Sequence, residues 1–452
     1  MGNSLPSLRK LEVHLCRAFA HLPPSFSGLS SLESLSILQA ETNRGELLAG
    51  PGCLTSLEGL GCVRRLKELS LSSMPHLSSL PASICGLSAL TSLEVANCPK
   101  IKHLPEEIGR LELLEKVRIS QMDGLKRLPR SLHELRRVRV LEVLACCGLT
   151  SLLWDEGLGN TLGGGSSSSS ISSNVNGPTM GVSSTLLPSL QSLKMKELML
   201  ESFPPPVYRL TSLTTPKLVK MNRLLSLPDS ISQLSQLQAL QISHSGKFEA
   251  LPETLGSLSR LTTLQLIGLE SLQELPESLG QLKMLRTLDI IDCPMIMRLP
   301  ESFPDLPKLQ SCSLVKLGIS SIPDDFWKLS SLLELAIKGL GNLGSVPESF
   351  TQLPRLQLLE TSSCTALDLI FTSLKKMPTL WEWSISASDM LSERQARAIA
   401  RRGGDSLGDE GEEEEADDSR YEYEEIVYEN GWEERDREEE WGGWEEREED
   451  VE

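Results

Sequence analysis

The sequence is poor in aromatic residues and in long apolar runs. Phe, Trp and Tyr make up 4% of its 452 residues, so a compact core built around large rings is not expected. No apolar stretch reaches the roughly 18 residues of a membrane-spanning helix. The N-terminal sequence MGNSLPSLRK lacks the apolar segment of a secretory signal. The sequence therefore predicts neither a membrane partner nor secretion.

Signatures of catalysis and of metal binding are also missing. The sequence contains no C-x-x-C pair, no H-E-x-x-H, no G-x-S-x-G and no kinase signature. The segment GLGNTLGGGSSSS resembles a phosphate-binding loop only superficially, because it lacks the G-K-[ST] ending. We therefore expect a protein that is not an enzyme and that uses no cofactor or metal.

Charge is distributed very unevenly along the chain. Residues 403–452 hold 25 Asp and Glu against 4 Arg, a net charge of −21. The formal net charge of the whole chain is −18, so the remaining residues together carry +3. A nearly neutral body with an acidic tail has little attraction for phosphate groups. Direct binding of nucleic acid is therefore not expected.

The dominant feature is an internal repeat. Units of the form LPxSIxxLxxLxxLxV start at Leu80, Leu104 and Leu128, which are 24 residues apart. The same unit returns at steps of 23 or 24 residues, at Leu227, Leu251, Leu275, Leu299, Ile322, Val346 and Ile370. Weaker copies lie around Leu8, Leu22, Leu66, Leu187 and Phe203. The spacing predicts about fifteen coils of a repeat protein.

Each unit combines a strand pattern with a return segment. The L-x-x-L-x-L core, for example Leu90, Leu93 and Val95, alternates inward and outward side chains as a short strand does. The following L-P-x-S-I segment crosses the opposite side, where proline tolerates an extended or single-turn backbone. One coil cannot bury its leucines alone, but stacked coils can. We therefore predict an α/β solenoid, a leucine-rich-repeat horseshoe with a parallel sheet on its concave face.

The repeat resembles the plant-type leucine-rich repeats of intracellular disease-resistance proteins and of plant Ras-group repeat proteins. The segments that carry the resemblance are NCPKIKHLPEEIGRLELLEKVRI (97–119) and DCPMIMRLPESFPDLPKLQ (292–310). The resemblance covers roughly residues 5–385. It implies the fold and a role in recognising other proteins. Disease-resistance proteins carry a nucleotide-binding switch domain ahead of such repeats, and this sequence shows none, so nucleotide-driven switching is not implied.

The cysteines follow the repeat. Five of the ten occupy one repeat position, three residues after the last strand leucine: Cys16, Cys98, Cys146, Cys293 and Cys364. This is the Asn/Cys position of the repeat, where a buried thiol acts as a small apolar side chain. The sequence also lacks flanking cysteine-rich caps and any N-x-S/T sequon. These features predict structural thiols in a reducing compartment, the cytoplasm or alternatively the nucleus.

Composition divides the chain into five segments. We expect repeats over 1–152, a disordered Gly/Ser-rich insertion over 153–185 and further repeats over 186–386. The segment 387–402 is expected to form a helical cap on the last coil. Residues 403–452 are too acidic to fold alone and are expected to be disordered.

Two groups of outward strand positions are candidates for partner binding. Ile267, Ile291 and Val315 take the same outward position in successive coils and predict an apolar stripe on the concave face. The alternative is that neighbouring side chains half-cover them. A basic group, which alternatively is only a solvated scatter of charges, comprises Lys116, Arg118, Lys194, Lys196 and Lys217. This group could meet an acidic partner or the protein's own tail.

The tail combines acidic residues with most of the tyrosines. Its sequence YEYEEIVY and its two GWEER copies alternate acidic and apolar residues, a pattern typical of interaction segments. Its candidate docking residues, for which a basic partner is possible, are Tyr421, Tyr423, Tyr428, Trp432, Trp441 and Trp444. A merely solubilising tail is the alternative.

Two functions remain open at this point. The first is a non-catalytic interaction scaffold or recognition module in intracellular signalling of the plant-defence type. The second follows from a resemblance to the acidic leucine-rich nuclear phosphoproteins, which act as histone chaperones and phosphatase inhibitors. Against the second, those proteins have far fewer repeats and their tails lack the aromatic residues found here. Either way, the identity of the bound protein is not in the sequence.

Overall fold

The computed structural model places one short strand in each coil of the repeat. Met1–Ser392 form one compact unit. The structure describes residues 5, 7–14, 21–22, 24–39, 54–149, 186–203, 209–364, 377, 379–380 and 382–385. The predicted insertion 153–185, the predicted cap 387–402 and the acidic segment 403–452 lie outside the described residues.

Fifteen parallel strands form a single sheet in which every strand pairs with its neighbour in the sequence. The strands are β1 Lys10–His14, β2 Ser34–Leu38, β3 Glu68–Ser72, β4 Ser92–Ala96, β5 Lys116–Ser120, β6 Val140–Leu144, β7 Ser192–Lys196, β8 Thr215–Val219, β9 Ala239–Ser243, β10 Thr263–Ile267, β11 Thr287–Cys293, β12 Ser311–Leu317, β13 Glu334–Lys338, β14 Leu358–Ser362 and β15 Glu382–Ile385. Sequential parallel order is what stacking of identical coils produces. The predicted solenoid, with about fifteen coils, is confirmed.

The sheet continues where the sequence is interrupted. Strand β6 pairs directly with β7, with Val140 opposite Ser192, although 47 residues separate the two strands. Strand β2 pairs with β3 in the same way, with Ser34 opposite Glu68. Among the described residues, six strands precede the Gly/Ser-rich segment and nine follow it. The sheet is therefore continuous across this segment and across the long connection between β2 and β3.

Return segments on the convex side are 3₁₀-helices in the coils that the structure describes. They are Pro24–Gly28, Leu60–Cys62, Ala82–Gly86, Glu106–Arg110, Arg130–Glu134, Asp229–Gln233, Glu253–Ser257, Glu277–Gln281, Phe303–Asp305, Asp324–Lys328 and Glu348–Gln352. A proline precedes most of them, as Pro81 does with φ −68°, because its fixed φ suits the extended entry. Because only a few residues separate this proline from the next leucine, the backbone can form one short 3₁₀-helix there but not a longer helix.

The core is a continuous stack of aliphatic side chains between the sheet and the 3₁₀-helices. In one coil Leu90, Val95 and Ile101 are fully buried, and Leu93 is 2% exposed. Strand β4 shows the predicted alternation, with its second and fourth residues buried and the others partly exposed. Three consecutive coils place phenylalanine in this core. The rings of Phe303, Phe326 and Phe350 stack with centroid separations of 5.8 and 5.7 Å.

Glutamates of the LPE motif join successive coils on the convex side. The carboxylate of Glu253 accepts hydrogen bonds from the backbone N–H groups of Glu277 (3.2 Å) and Ser278 (3.1 Å). Glu277 accepts from Glu301 and Ser302 in the same way, both at 3.3 Å. These two carboxylates satisfy N–H groups at, or just before, the start of the next 3₁₀-helix, which have no partner within that helix. The convex side is therefore bonded from coil to coil, as the sheet is.

Candidate interaction surface

The outward side of the sheet presents three parallel rows of side chains. In β1 to β14 the first, third and fifth residues of each strand point away from the core, and the strand register aligns them from coil to coil. We call them the first, central and third rows. Neighbouring strands are about 4.8 Å apart, so side chains in one row are in contact range. The rows form a surface held in place by backbone pairing.

The predicted apolar stripe lies in the third row. Ile267 is opposite Ile291, and Ile291 is opposite Val315. All three side chains are partly exposed. Sequence reasoning had missed Val219, which occupies the same row on β8. Between Val219 and Ile267 the row contains Ser243, which is 3% exposed. The stripe was predicted because the repeat register alone fixes these positions.

Polar residues occupy the other two rows beside the stripe. In the central row the side-chain amide of Gln265 donates a hydrogen bond of 3.0 Å to the Asp289 carboxylate. In the first row Thr263, Thr287 and Ser311 are aligned and partly exposed. The stripe is therefore a narrow apolar strip along a polar face.

Of the five predicted basic residues, Arg118 lies between two acidic neighbours. Its Nε atom is 3.7 Å from a carboxylate oxygen of Glu94 and 3.4 Å from one of Glu142, on the strands to either side. The central row thus alternates in charge from β4 to β6. The sequence could have predicted this arrangement, because the repeat places Glu94, Arg118 and Glu142 at the same position of three successive strands. Lys116 lies on the same strand as Arg118, two residues earlier, in the first row, and its side chain is exposed.

The other three basic residues are brought together. Lys194 of β7 is opposite Lys217 of β8 in the central row, and Lys196 lies two residues along β7 in the third row. Lys217 is exposed and the other two are partly exposed. Lys196 and Val219 are opposite each other, so this lysine group adjoins the start of the apolar row.

The predicted structural cysteines are buried where the structure describes them. Cys98, Cys146 and Cys293 are 0% exposed and Cys364 is 9% exposed, and Cys16 lies outside the described residues. Burial raises the pKa of Cys98, Cys146 and Cys293 to about 11. Since the thiolate is the reactive form, these thiols are poor nucleophiles at neutral pH.

Cys312 is a buried thiol that sequence reasoning had missed. It lies on β12 opposite Leu288 and Leu335, an inward strand position that leucine usually holds. Desolvation by burial raises its pKa, with a smaller contribution from the Asp289 carboxylate. The column of strand leucines could have placed it in the core.

Within the part of the chain that the structure describes, no group of three or more His, Cys, Asp or Glu side chains is arranged to hold a metal ion. No helix in that part is both long enough and apolar enough to span a membrane. The candidate tail residues Tyr421, Tyr423, Tyr428, Trp432, Trp441 and Trp444 lie outside the described residues.

Comparison with solved structures finds the same architecture. A leucine-rich-repeat protein of Leptospira interrogans is similar at 23% identity and a TM-score of 0.54, over 85% of this chain and 97% of that one. An internalin of Listeria monocytogenes is similar at 15% identity and a TM-score of 0.40, over 71% and 87% of the two chains. The plant peptide hormone receptor RGFR1, solved in complex with RGF2, is similar at 18% identity and a TM-score of 0.41, over 84% and 68%.

No family model and no curated protein matches the sequence. At 23% identity the Leptospira likeness shows the fold of this chain and no more. The chain is thus a leucine-rich-repeat solenoid by its repeat, by its sheet and by its structural likeness. Likeness of fold alone does not identify a partner.

Proposed function

We propose that the chain is a non-catalytic protein-interaction module that binds a protein partner on the outward face of its sheet. The observation that carries the proposal is the row formed by Ile267, Ile291 and Val315 on three adjacent strands. These are aliphatic side chains on a rigid surface, and each remains partly exposed. Burying apolar area against a partner is favourable by about 25 cal/mol per Å².

The surface needs little reorganisation to bind. Its strands are fixed on both sides by parallel pairing, so the side chains are already aligned when a partner arrives. Ordering a surface on binding reduces affinity, and a preformed surface avoids that cost. An interaction role also fits the buried thiols, since Cys98 and Cys293 have pKa values raised to about 11.

For the biological setting we propose intracellular signalling of the plant-defence type, in the cytoplasm or the nucleus. The support is the resemblance carried by residues 97–119 and 292–310, together with the buried thiols Cys98, Cys146 and Cys293, which form no disulfide within the described part of the chain. Disulfide-free cysteines are typical of reducing compartments.

A second candidate function rests on the acidic segment 403–452. With 25 acidic residues against 4 Arg, it favours a basic partner, as in histone chaperones. If this second function is correct, Tyr421, Tyr428 and Trp432 are docking residues of that segment. Affinity capture by the full chain and by a chain ending at residue 402 separates the candidates. Recovery of histones by the full chain alone favours the second, and recovery of the same partners by both favours the first.

The proposed surface is tested by Ile267→Lys combined with Ile291→Lys. Lysine occupies the same row at Lys196 and Lys338, so the double variant is expected to fold. Partner retention in affinity capture should fall about tenfold or more, because interface centres concentrate binding energy.

A matched control uses Met295→Lys with Met297→Lys. These methionines are 46% and 53% exposed and lie after β11, away from the three rows. The control should retain every partner. If the Ile267 and Ile291 variant retains its partners as well as the wild type does, the outward face is not the binding surface.

A further inference from the structure

The third row of the sheet changes from basic to apolar over six strands. It begins with Lys196 on β7 and Val219 on β8, and it ends with Ile267, Ile291 and Val315 on β10 to β12. The lysine end is widened by Lys194 and Lys217 in the central row. The surface thus has two chemically different ends.

The positive charges of two of the three lysines are not balanced by a carboxylate within the described structure. Lys196 and Lys217 form no ion pair with a carboxylate in the part of the chain that the structure describes. The nearest acidic residue along the chain, Glu197, pairs with Lys220 at 3.2 Å. Two ammonium groups on neighbouring strands repel each other unless an anion lies between them. On the β6 side Glu142 lies opposite Lys194 in the central row, so Lys196 and Lys217 are the lysines that are complementary to carboxylates of a partner.

At the opposite end the third row continues to Lys338 on β13, but this lysine pairs with the Glu360 carboxylate at 2.7 Å. Acidic residues also lie beside the stripe. Asp289 of β11 lies in the central row beside the stripe, and Glu334 of β13 lies in the first row. These carboxylates disfavour an acidic ligand over β11 to β13. A ligand with both acidic and apolar groups therefore has one preferred direction across the strands.

The strand spacing fixes the length of such a ligand. From β7 to β10 are three steps of about 4.8 Å, or roughly 14 Å. An extended peptide advances about 3.3 Å per residue, and its side chains face one side at every second residue. An acidic side chain over β7 is thus about four residues from an apolar side chain over β10, and a further apolar side chain can follow two residues beyond that one.

Resting on the proposed function, we infer that this surface binds an extended segment of a protein partner in which acidic and apolar residues are about four positions apart. Carboxylates of the segment contact Lys196 and Lys217. Its apolar side chains pack on Ile267, Ile291 and Val315. The amide of Gln241, in the central row between the two ends, is available to the backbone of the segment.

The test uses the full chain and the labelled synthetic peptide DDSGSISI, with binding followed by fluorescence anisotropy. The peptide KKSGSISI controls for charge and DDSGSSSS controls for the apolar residues. We expect DDSGSISI to bind at least about tenfold more tightly than either control, and its affinity to fall as salt rises.

The complementary test reverses the charge of the protein's lysines and measures both the acidic and the basic peptide. Lys196→Glu with Lys217→Glu should weaken DDSGSISI about tenfold and should improve binding of KKSGSISI. Lys126→Glu with Lys247→Glu makes the same change in net charge at exposed positions outside the strands and should leave both peptides unaffected. Equal binding of the acidic and basic peptides by the wild type would overturn the inference.

Other occupants of the surface give different results. If Glu424→Gln with Glu425→Gln in the full chain raises affinity for DDSGSISI tenfold, the chain's own acidic segment is the competing occupant and the inference fails. A dimer that the peptide dissociates would assign the surface to a second copy. Failure of the peptide alone leaves the proposed function standing, because capture by the Ile267 and Ile291 variant tests that function separately.

Discussion

Replacing Phe326 with alanine is expected to remove about 3–5 kcal/mol of stability, the usual cost of deleting a buried phenylalanine ring. Phe326 is fully buried and stacks on Phe303 at 5.8 Å and on Phe350 at 5.7 Å. The substitution opens a cavity between two other rings rather than at the end of the stack. In a solenoid each coil contacts only its neighbours, so the loss should be concentrated in β12 to β14.

Hydrogen exchange of the full chain checks this expectation strand by strand. Protection should drop in β12 to β14 and remain in β4 to β6, six or more coils away. The matched control is Trp327→Ala, which removes a larger ring from the next residue, where the side chain is 41% exposed. Phe326→Leu should cost less, because leucine holds this position at Leu255 and Leu279. Unchanged protection in Phe326→Ala would contradict the importance of the stack.

The repeat register made most of the fold predictable from the sequence. Strand positions, inward side chains and the alignment of Ile267, Ile291 and Val315 all follow from a period of 23 or 24 residues. The prediction succeeded because stacked coils turn sequence spacing into spatial adjacency. Cys312 and the phenylalanine column were available in the same register, but they depart from the leucine consensus.

The electrostatics of the face were less predictable. The five basic residues looked like one group in the sequence, yet Arg118 lies between Glu94 and Glu142, while Lys194 and Lys217 are opposite each other. The difference depends on which strands are neighbours across the long segment between β6 and β7. Periodicity is interrupted there, so counting residues does not establish that Lys194 follows Glu142 in the central row.

The convex side was the least apparent from sequence, because its contacts join residues that the strand pattern does not align. Gly280 shows why. Its N–H donates a hydrogen bond of 3.3 Å to Oγ of Ser302 in the next coil, and that hydroxyl in turn donates to the carbonyl of Glu277 at 2.5 Å. A Cβ atom on Gly280 would lie 2.7 Å from the Ser302 Cβ and closer still to its carbonyl oxygen. Only glycine permits this approach between coils.

Gly280→Ala should therefore destabilise the protein by about 1–3 kcal/mol through overpacking. The clash involves backbone of the next coil, which is also held by Glu277, so neither partner can move freely. The control is Gly86→Ala, in the 3₁₀-helix of an earlier coil, where an added Cβ meets nothing within 4 Å. That change should be neutral or stabilising by up to about 1 kcal/mol, since alanine has less conformational freedom to lose.

Thermal unfolding of the two variants measures the difference directly. Equal midpoints would show that the coils separate easily, and that the convex contacts contribute little to the rigid spacing on which the outward rows depend.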